Sequence, residues 1–149
     1  MATTAKTAPR KIDTLLAHYG KSHMNPTNEV IHFVAIPLIM LSIVGLMYAL
    51  HPWVAFAFMG ASMVYYARLS TVFLVAMLVW STLLYWLILQ MEDKVWQTSL
   101  IIFVGAWIAQ FYGHHVEGKK PSFFEDIQYL WVGPLFVLSK LFEKMGIKW

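Results

Sequence analysis

Residues 30–50 read VIHFVAIPLIMLSIVGLMYAL, an apolar run carrying a single imidazole, His32, near its start. Its length matches the roughly 20 residues an α-helix needs to cross the ~30 Å hydrocarbon layer of a bilayer. The whole chain has the same character: 59% of its 149 residues are hydrophobic and 13% charged, with a mean hydropathy of +0.59. That is too apolar for a soluble domain of this size. Upstream, Asn25-Pro26 has the form of a helix start, Asn as cap and Pro in the first position. Further back, Ile12, Leu15, Leu16 and Tyr19 recur at helical spacing among charged residues, which predicts a short amphipathic helix at the membrane surface. Downstream, His51-Pro52 ends the first run; further apolar runs follow over 53–67, 69–91 and 95–115, separated by Arg68 and by Glu92-Asp93-Lys94. From Phe123 the apolar residues again keep a three-to-four spacing against acids and lysines, which predicts an amphipathic helix bent at Gly133-Pro134.

The expected fold is an all-α integral membrane bundle of about four transmembrane helices with amphipathic interfacial helices at its N- and C-terminal ends. One domain should cover 1–149. Within it, 1–11 should be flexible, 12–29 amphipathic with a first histidine motif, 30–115 the four spans, and 121–144 the C-terminal helix. The first span is expected to serve as its own insertion signal, because the polar start has no signal-peptide core. There are no cysteines, which excludes a disulfide framework, a thiolate nucleophile or a cysteine-held cluster. The basic residues stand in ones and twos beside apolar runs, a pattern of membrane topology rather than of nucleic-acid binding. Four spans would place Lys6, Arg10, Lys11, Lys21, Arg68, Lys119, Lys120, Lys140, Lys144 and Lys148 on one side and Lys94 alone on the other. The positive-inside rule then puts both termini at the cytoplasmic face.

Polar side chains at the ends of apolar helices are costly and mark candidate chemistry. Two clusters stand out, YGKSHMNPTNEVIH at 19–32 and QFYGHHVEGKKP at 110–121. Asn28 and His32 lie one helical turn apart, His23 is on the preceding loop, and Gln110, His114 and Glu117 follow one stripe. Four alternating spans bring both clusters to the same leaflet. Neutral imidazoles sharing a divalent metal need their other ring nitrogens oriented, and Asn25, Asn28, Gln110 and Glu117 are the nearby groups able to do so. Imidazole with carboxylate suits Fe(II), whereas an all-histidine site also suits zinc or nickel. His18 and His51 read as structural. His115 points about 100° away from His114 on an ideal helix.

Tyr19, His23, Asn25-Pro26, Asn28 and His32, followed by Trp107, Gln110-Phe111, Gly113-His114, Glu117, Pro121 and Pro134, closely resemble the pattern of the membrane-bound 2-hydroxy-fatty-acid dioxygenases. Fungal members of that family act in the endoplasmic reticulum in phytosphingosine breakdown, and bacterial relatives are common. The resemblance implies Fe(II) as cofactor, O2 as co-substrate and α-oxidation: cleavage of the C1–C2 bond of a long-chain 2-hydroxy fatty acid to leave an acid one carbon shorter. It implies His23, His32 and His114 as metal ligands, Glu117 as a further ligand or a base, and a bacterial inner membrane or the endoplasmic reticulum as location. Tyr19, Asn28, Gln110 and Glu117 form the candidate catalytic set, with Lys21, Lys119 and Lys120 as candidates to attract the substrate carboxylate. His18, His51 and His115 fall outside the pattern. Alternatives are a zinc-dependent membrane hydrolase with Glu117 as base and a non-enzymatic scaffold or lipid-binding protein; an oligomer is left open.

Overall fold

A computed structural model describes residues 8–120 and 123–149. The expected flexible start therefore falls largely outside the described residues, as do Lys6 and Pro121. The elements are α1 (Lys11–Gly20), α2 (Pro26–Leu50), α3 (Pro52–Ala67), α4 (Thr71–Gln90), a 3-10 turn (Glu92–Lys94), α5 (Val95–Glu117), α6 (Phe123–Gln128) and α7 (Val132–Met145). The described residues contain no strand.

Local chemistry sets the helix ends. Asn25 accepts a hydrogen bond from the Thr27 backbone N–H at 2.9 Å, and Pro26 opens α2 where its missing N–H costs nothing. His51 repeats this device: its Nδ1 accepts from Trp53 N–H at 3.2 Å, and Pro52 opens α3. At the far end of α5, Gly118 takes the left-handed conformation, φ 75°, while its N–H and that of Lys119 bond back to the His115 and His114 carbonyls.

Three helices are long and apolar enough to cross a membrane: Pro26–Leu50, Thr71–Gln90 and Glu92–Glu117. The sequence expectation of four is thus met in part. The second run forms α3, whose 16 residues span only ~24 Å at 1.5 Å per residue, short of the apolar layer. The expectation for the C-terminus also needs correction. In place of one helix bent at Gly133-Pro134, α6 and α7 are separate, and the break falls between Gln128 and Val132. Pro134 sits in the first turn of α7, where no N–H is required of it, so it starts a helix rather than bending one.

The bundle is built on an antiparallel α2–α5 pair. Two glycines allow the close approach: a Cβ on Gly45 would collide with Ser99 Oγ, and one on Gly113 with Asn28 Oδ1. Gly45→Val is therefore expected to destabilise the protein by about 1–3 kcal/mol, the usual range for overpacking, read as a lowered thermal midpoint in detergent. Helices α3 and α4 pack beside α2, around Met40, Val44, Tyr66, Phe73 and Met77. α7 lies against α1 and α2. Its turn is pinned to α3 by Tyr66 Oη donating to the Trp131 carbonyl at 3.1 Å and Trp131 Nε1 donating to Ser62 Oγ at 2.8 Å. α1, α6 and α7 thus gather at the end of the bundle where α2 starts and α5 stops.

Candidate functional site

At that end the two polar clusters meet. His23, on the loop between α1 and α2, is 6% exposed; His32, in the second turn of α2, is 0% exposed; His114, near the end of α5, is 7% exposed. Their ring centroids are 4.2 Å apart for His23 and His32, 5.1 Å for His32 and His114, and 6.0 Å for His23 and His114. Tyr19 stacks on His23 at 4.2 Å with the rings 9° from parallel.

The first two histidines are held alike. Nδ1 of His23 bonds to the Tyr19 carbonyl at 2.8 Å, and Nδ1 of His32 to the Asn28 carbonyl at 2.9 Å. A carbonyl only accepts, so each ring carries its proton on Nδ1 and presents a lone pair on Nε2. Both Nε2 atoms are buried with no hydrogen-bond partner among the described residues. Burying such an acceptor without a partner costs about 1–3 kcal/mol, so the arrangement calls for an electrophile or a donor there. Burial, followed by the charge of His114, lowers the His23 pKa against the raising effect of its Tyr19 hydrogen bond. The ring is consequently neutral and able to ligate at pH 7. A histidine that resists protonation when folded but takes a proton when unfolded gives stability that is complete above its unfolded pKa, near 6.5, and is lost as pH falls below it. The unfolding midpoint of metal-free protein should therefore drop between pH 7 and 5, and His23→Leu should reduce that drop.

The second cluster departs from the single stripe expected of it. His114 Nε2 donates to Asp126 Oδ1 at 3.0 Å, while Asp126 Oδ2 is buried without a partner among the described residues. Asp126 was not among the sequence candidates. Its only sequence signal is its place beside Glu125 in an amphipathic segment, and α6 must fold back over α5 before it reaches the histidines. Glu117 turns away from them: Oε1 accepts from Met24 N–H at 2.9 Å, and Oε2 from Asn25 N–H at 2.8 Å and Asn28 Nδ2 at 3.1 Å. It therefore ties the His23 loop to α5. Asn28 is fully buried, with Nδ2 also donating to the Ser22 carbonyl at 3.2 Å. Gln110 is buried below His114, its Oε1 without a partner among the described residues.

A cavity of about 300 Å³ opens onto the histidines, with Lys119, Lys120 and His18 among its walls. Lys21 is absent from it and lines a separate basin on the other side of His23, together with Lys140 and Glu143. The three candidate lysines are thus divided, two to one. His18, exposed and 5.7 Å from the Tyr129 ring, lines the first cavity; His115 is exposed on the outer side of α5. Among the described residues, no set of three or more His, Cys, Asp or Glu side chains stands ready to hold a metal as placed. The donor chemistry nevertheless fits one, since two fixed lone pairs and a free carboxylate oxygen are buried beside a third imidazole.

Comparison with curated proteins gives no match, and comparison with solved structures gives none. A family model, by contrast, matches residues 10–145, a stretch that includes all three helices able to cross a membrane and every side chain of the histidine cluster. The chain belongs to the family described as 2-hydroxy-palmitic acid dioxygenase Mpo1-like.

Proposed function

We propose that this protein is an Fe(II)-dependent dioxygenase that cleaves the C1–C2 bond of long-chain 2-hydroxy fatty acids and releases an acid one carbon shorter. The observation that carries the reading is the pair of buried histidines, His23 and His32, each locked with its proton on Nδ1 and its Nε2 lone pair unpartnered. His23, His32 and His114 would hold the iron, with Asp126 supplying the nearby carboxylate. The chemistry gained from a bound ferrous ion is electron donation to O2 and a template for the two oxygens of a 2-hydroxy acid. The remaining work falls to the chain. Lys119, Lys120 and His18 draw the carboxylate into the cavity, Asp126 fixes the proton of His114 at Nε2, and the Tyr19 ring shields His23 from water. Burial first, and the charge of Asp126 second, raise the pKa of the Tyr19 phenol, so it stays protonated and keeps an O–H to donate.

The acyl chain would lie in an apolar groove of about 220 Å³ between α2, α4 and α7, lined by Ile36, Pro37, Met40, Met77, Pro134 and Leu138 among others. Its Ile36 edge also borders the space beside Tyr19 and Asp126. In this reading α3 is a fourth crossing, made possible by local thinning of the bilayer. Lys21, Arg68, Lys119, Lys120 and Lys140 then face the cytoplasm together with the site, opposite Lys94. A zinc hydrolase using Glu117 as base is disfavoured, because both oxygens of Glu117 already accept N–H bonds from the His23 loop and Asn28.

The test is mass spectrometry of the products formed from 2-hydroxypalmitate by protein purified anaerobically, supplied with Fe(II) and O2. A fifteen-carbon acid formed with matching O2 uptake is the expected result. Full zinc occupancy with no O2 uptake would sink the proposal.

A further inference from the structure

Between α2 and α7 a cleft of about 250 Å³ is lined by Phe33, Val137, Lys140, Leu141 and Lys144. The α7 residues follow one another at steps that place them on one helix face. Phe33 directly follows the buried His32, so the cleft lies at the end of the bundle where the histidines gather. Beside it, Val30, Val34 and Leu38 are 62%, 60% and 37% exposed. They form an outward apolar stripe on α2, a helix of membrane-crossing length, and such a stripe faces lipid.

The floor of the cleft is apolar and its charges have one sign. Acids share the walls of the two polar cavities, Glu125 and Asp126 with Lys119 and Lys120, and Asp13 and Glu143 with Lys21 and Lys140. None lines this cleft. Lys140 stands on the ridge between it and the basin of Lys21, with Nζ 5.5 Å from the Phe136 ring centroid. Lys144, one turn further on, is exposed. Neither lysine belongs to an ion pair among the described residues. Two ammonium groups without a counter-charge, above an apolar floor at the edge of the hydrocarbon layer, complement a lipid whose headgroup is an anion.

We propose that this cleft binds one anionic phospholipid, its phosphodiester held by Lys140 and Lys144 and one acyl chain laid along Phe33, Val137 and Leu141. A choline headgroup would bring its own cation to the lysines and forfeit most of the gain. A cleft that opens on lipid is bathed in phospholipid, which displaces a scarcer free fatty acid by mass action. Val137 and Leu141 also line the apolar groove between α2, α4 and α7, so the seated phospholipid abuts that groove. The site involves none of the histidines and holds whatever reaction they perform.

The experiment is native mass spectrometry of full-length protein released from detergent, titrated with phosphatidylglycerol or with phosphatidylcholine of the same acyl chains. One phosphatidylglycerol should bind about 30-fold more tightly than one phosphatidylcholine, about fivefold for each lysine beside an anionic lipid. Lys140→Gln/Lys144→Gln should erase that preference, and Lys140→Arg/Lys144→Arg should keep it. Lys144→Gln alone, at an exposed position, should lower it about fivefold. Lys11→Gln/Lys148→Gln removes equal charge outside the cleft and should leave the preference in place. His32→Leu should bind phosphatidylglycerol as the parent does, which separates this site from the metal site. Equal binding of the two lipids by the parent would overturn the inference, as would a preference that survives Lys140→Gln/Lys144→Gln. So would its loss in Lys11→Gln/Lys148→Gln, the mark of bulk charge. Displacement of phosphatidylglycerol by an equal concentration of 2-hydroxypalmitate or inorganic phosphate would assign the cleft to another occupant and overturn it too.

Discussion

His32→Leu is expected to abolish metal binding and oxygenase turnover while leaving the metal-free protein at least as stable as the parent. Its imidazole is fully buried, and Nδ1 is spent on the Asn28 carbonyl. Nε2 has no partner among the described residues, and an orphaned buried acceptor costs about 1–3 kcal/mol. Leucine removes that cost and suits the apolar face of α2. The loss of metal affinity should exceed about 100-fold, the upper figure for losing merely an outer-shell partner of a ligand. Metal analysis of the purified variant, together with its thermal midpoint without metal, checks both halves. A variant that keeps its iron would refute the site; a variant that unfolds would show that the histidine serves the fold.

Glu117→Gln should weaken metal affinity by about 10–100-fold, with turnover recovering when Fe(II) is made saturating. The carboxylate receives three N–H donors, from Met24, Asn25 and Asn28. An amide would set its own NH2 against at least one of them, and hydrogen bonds to a charged group contribute about 1.5–3 kcal/mol. The loop that carries His23 would then be held more loosely, while the chemistry itself is left intact. If instead Glu117 were a ligand or a base, added iron would not restore the rate. Iron titration monitored by activity separates the two roles, and the geometry favours the first.

Much of the architecture was legible before any coordinates. Asn25-Pro26 and His51-Pro52 announced helix ends because capping depends on one or two residues and their own backbone. The apolar runs announced helices because a bilayer leaves the backbone no other partner than itself. Burial and length in the bundle were harder to foresee, and α3 proved shorter than the apolar layer. The C-terminal break came at residues 129–131 because Tyr66 and Ser62 of α3 hold Trp131 there, contacts nearly seventy residues apart in the chain.

The candidate site divides in the same way. Sequence alone determined that histidines, amides and a carboxylate would collect at one end of α2 and α5, because the 3.6-residue period fixes which side chains share a helix face. Only the tertiary structure decided their roles. It turned Glu117 toward a loop, placed Lys21 on the far side of His23, and folded α6 back so that Asp126 reached His114. Those outcomes depend on how separate elements pack, and packing sums many weak contacts between residues distant in the chain, which no local spacing records.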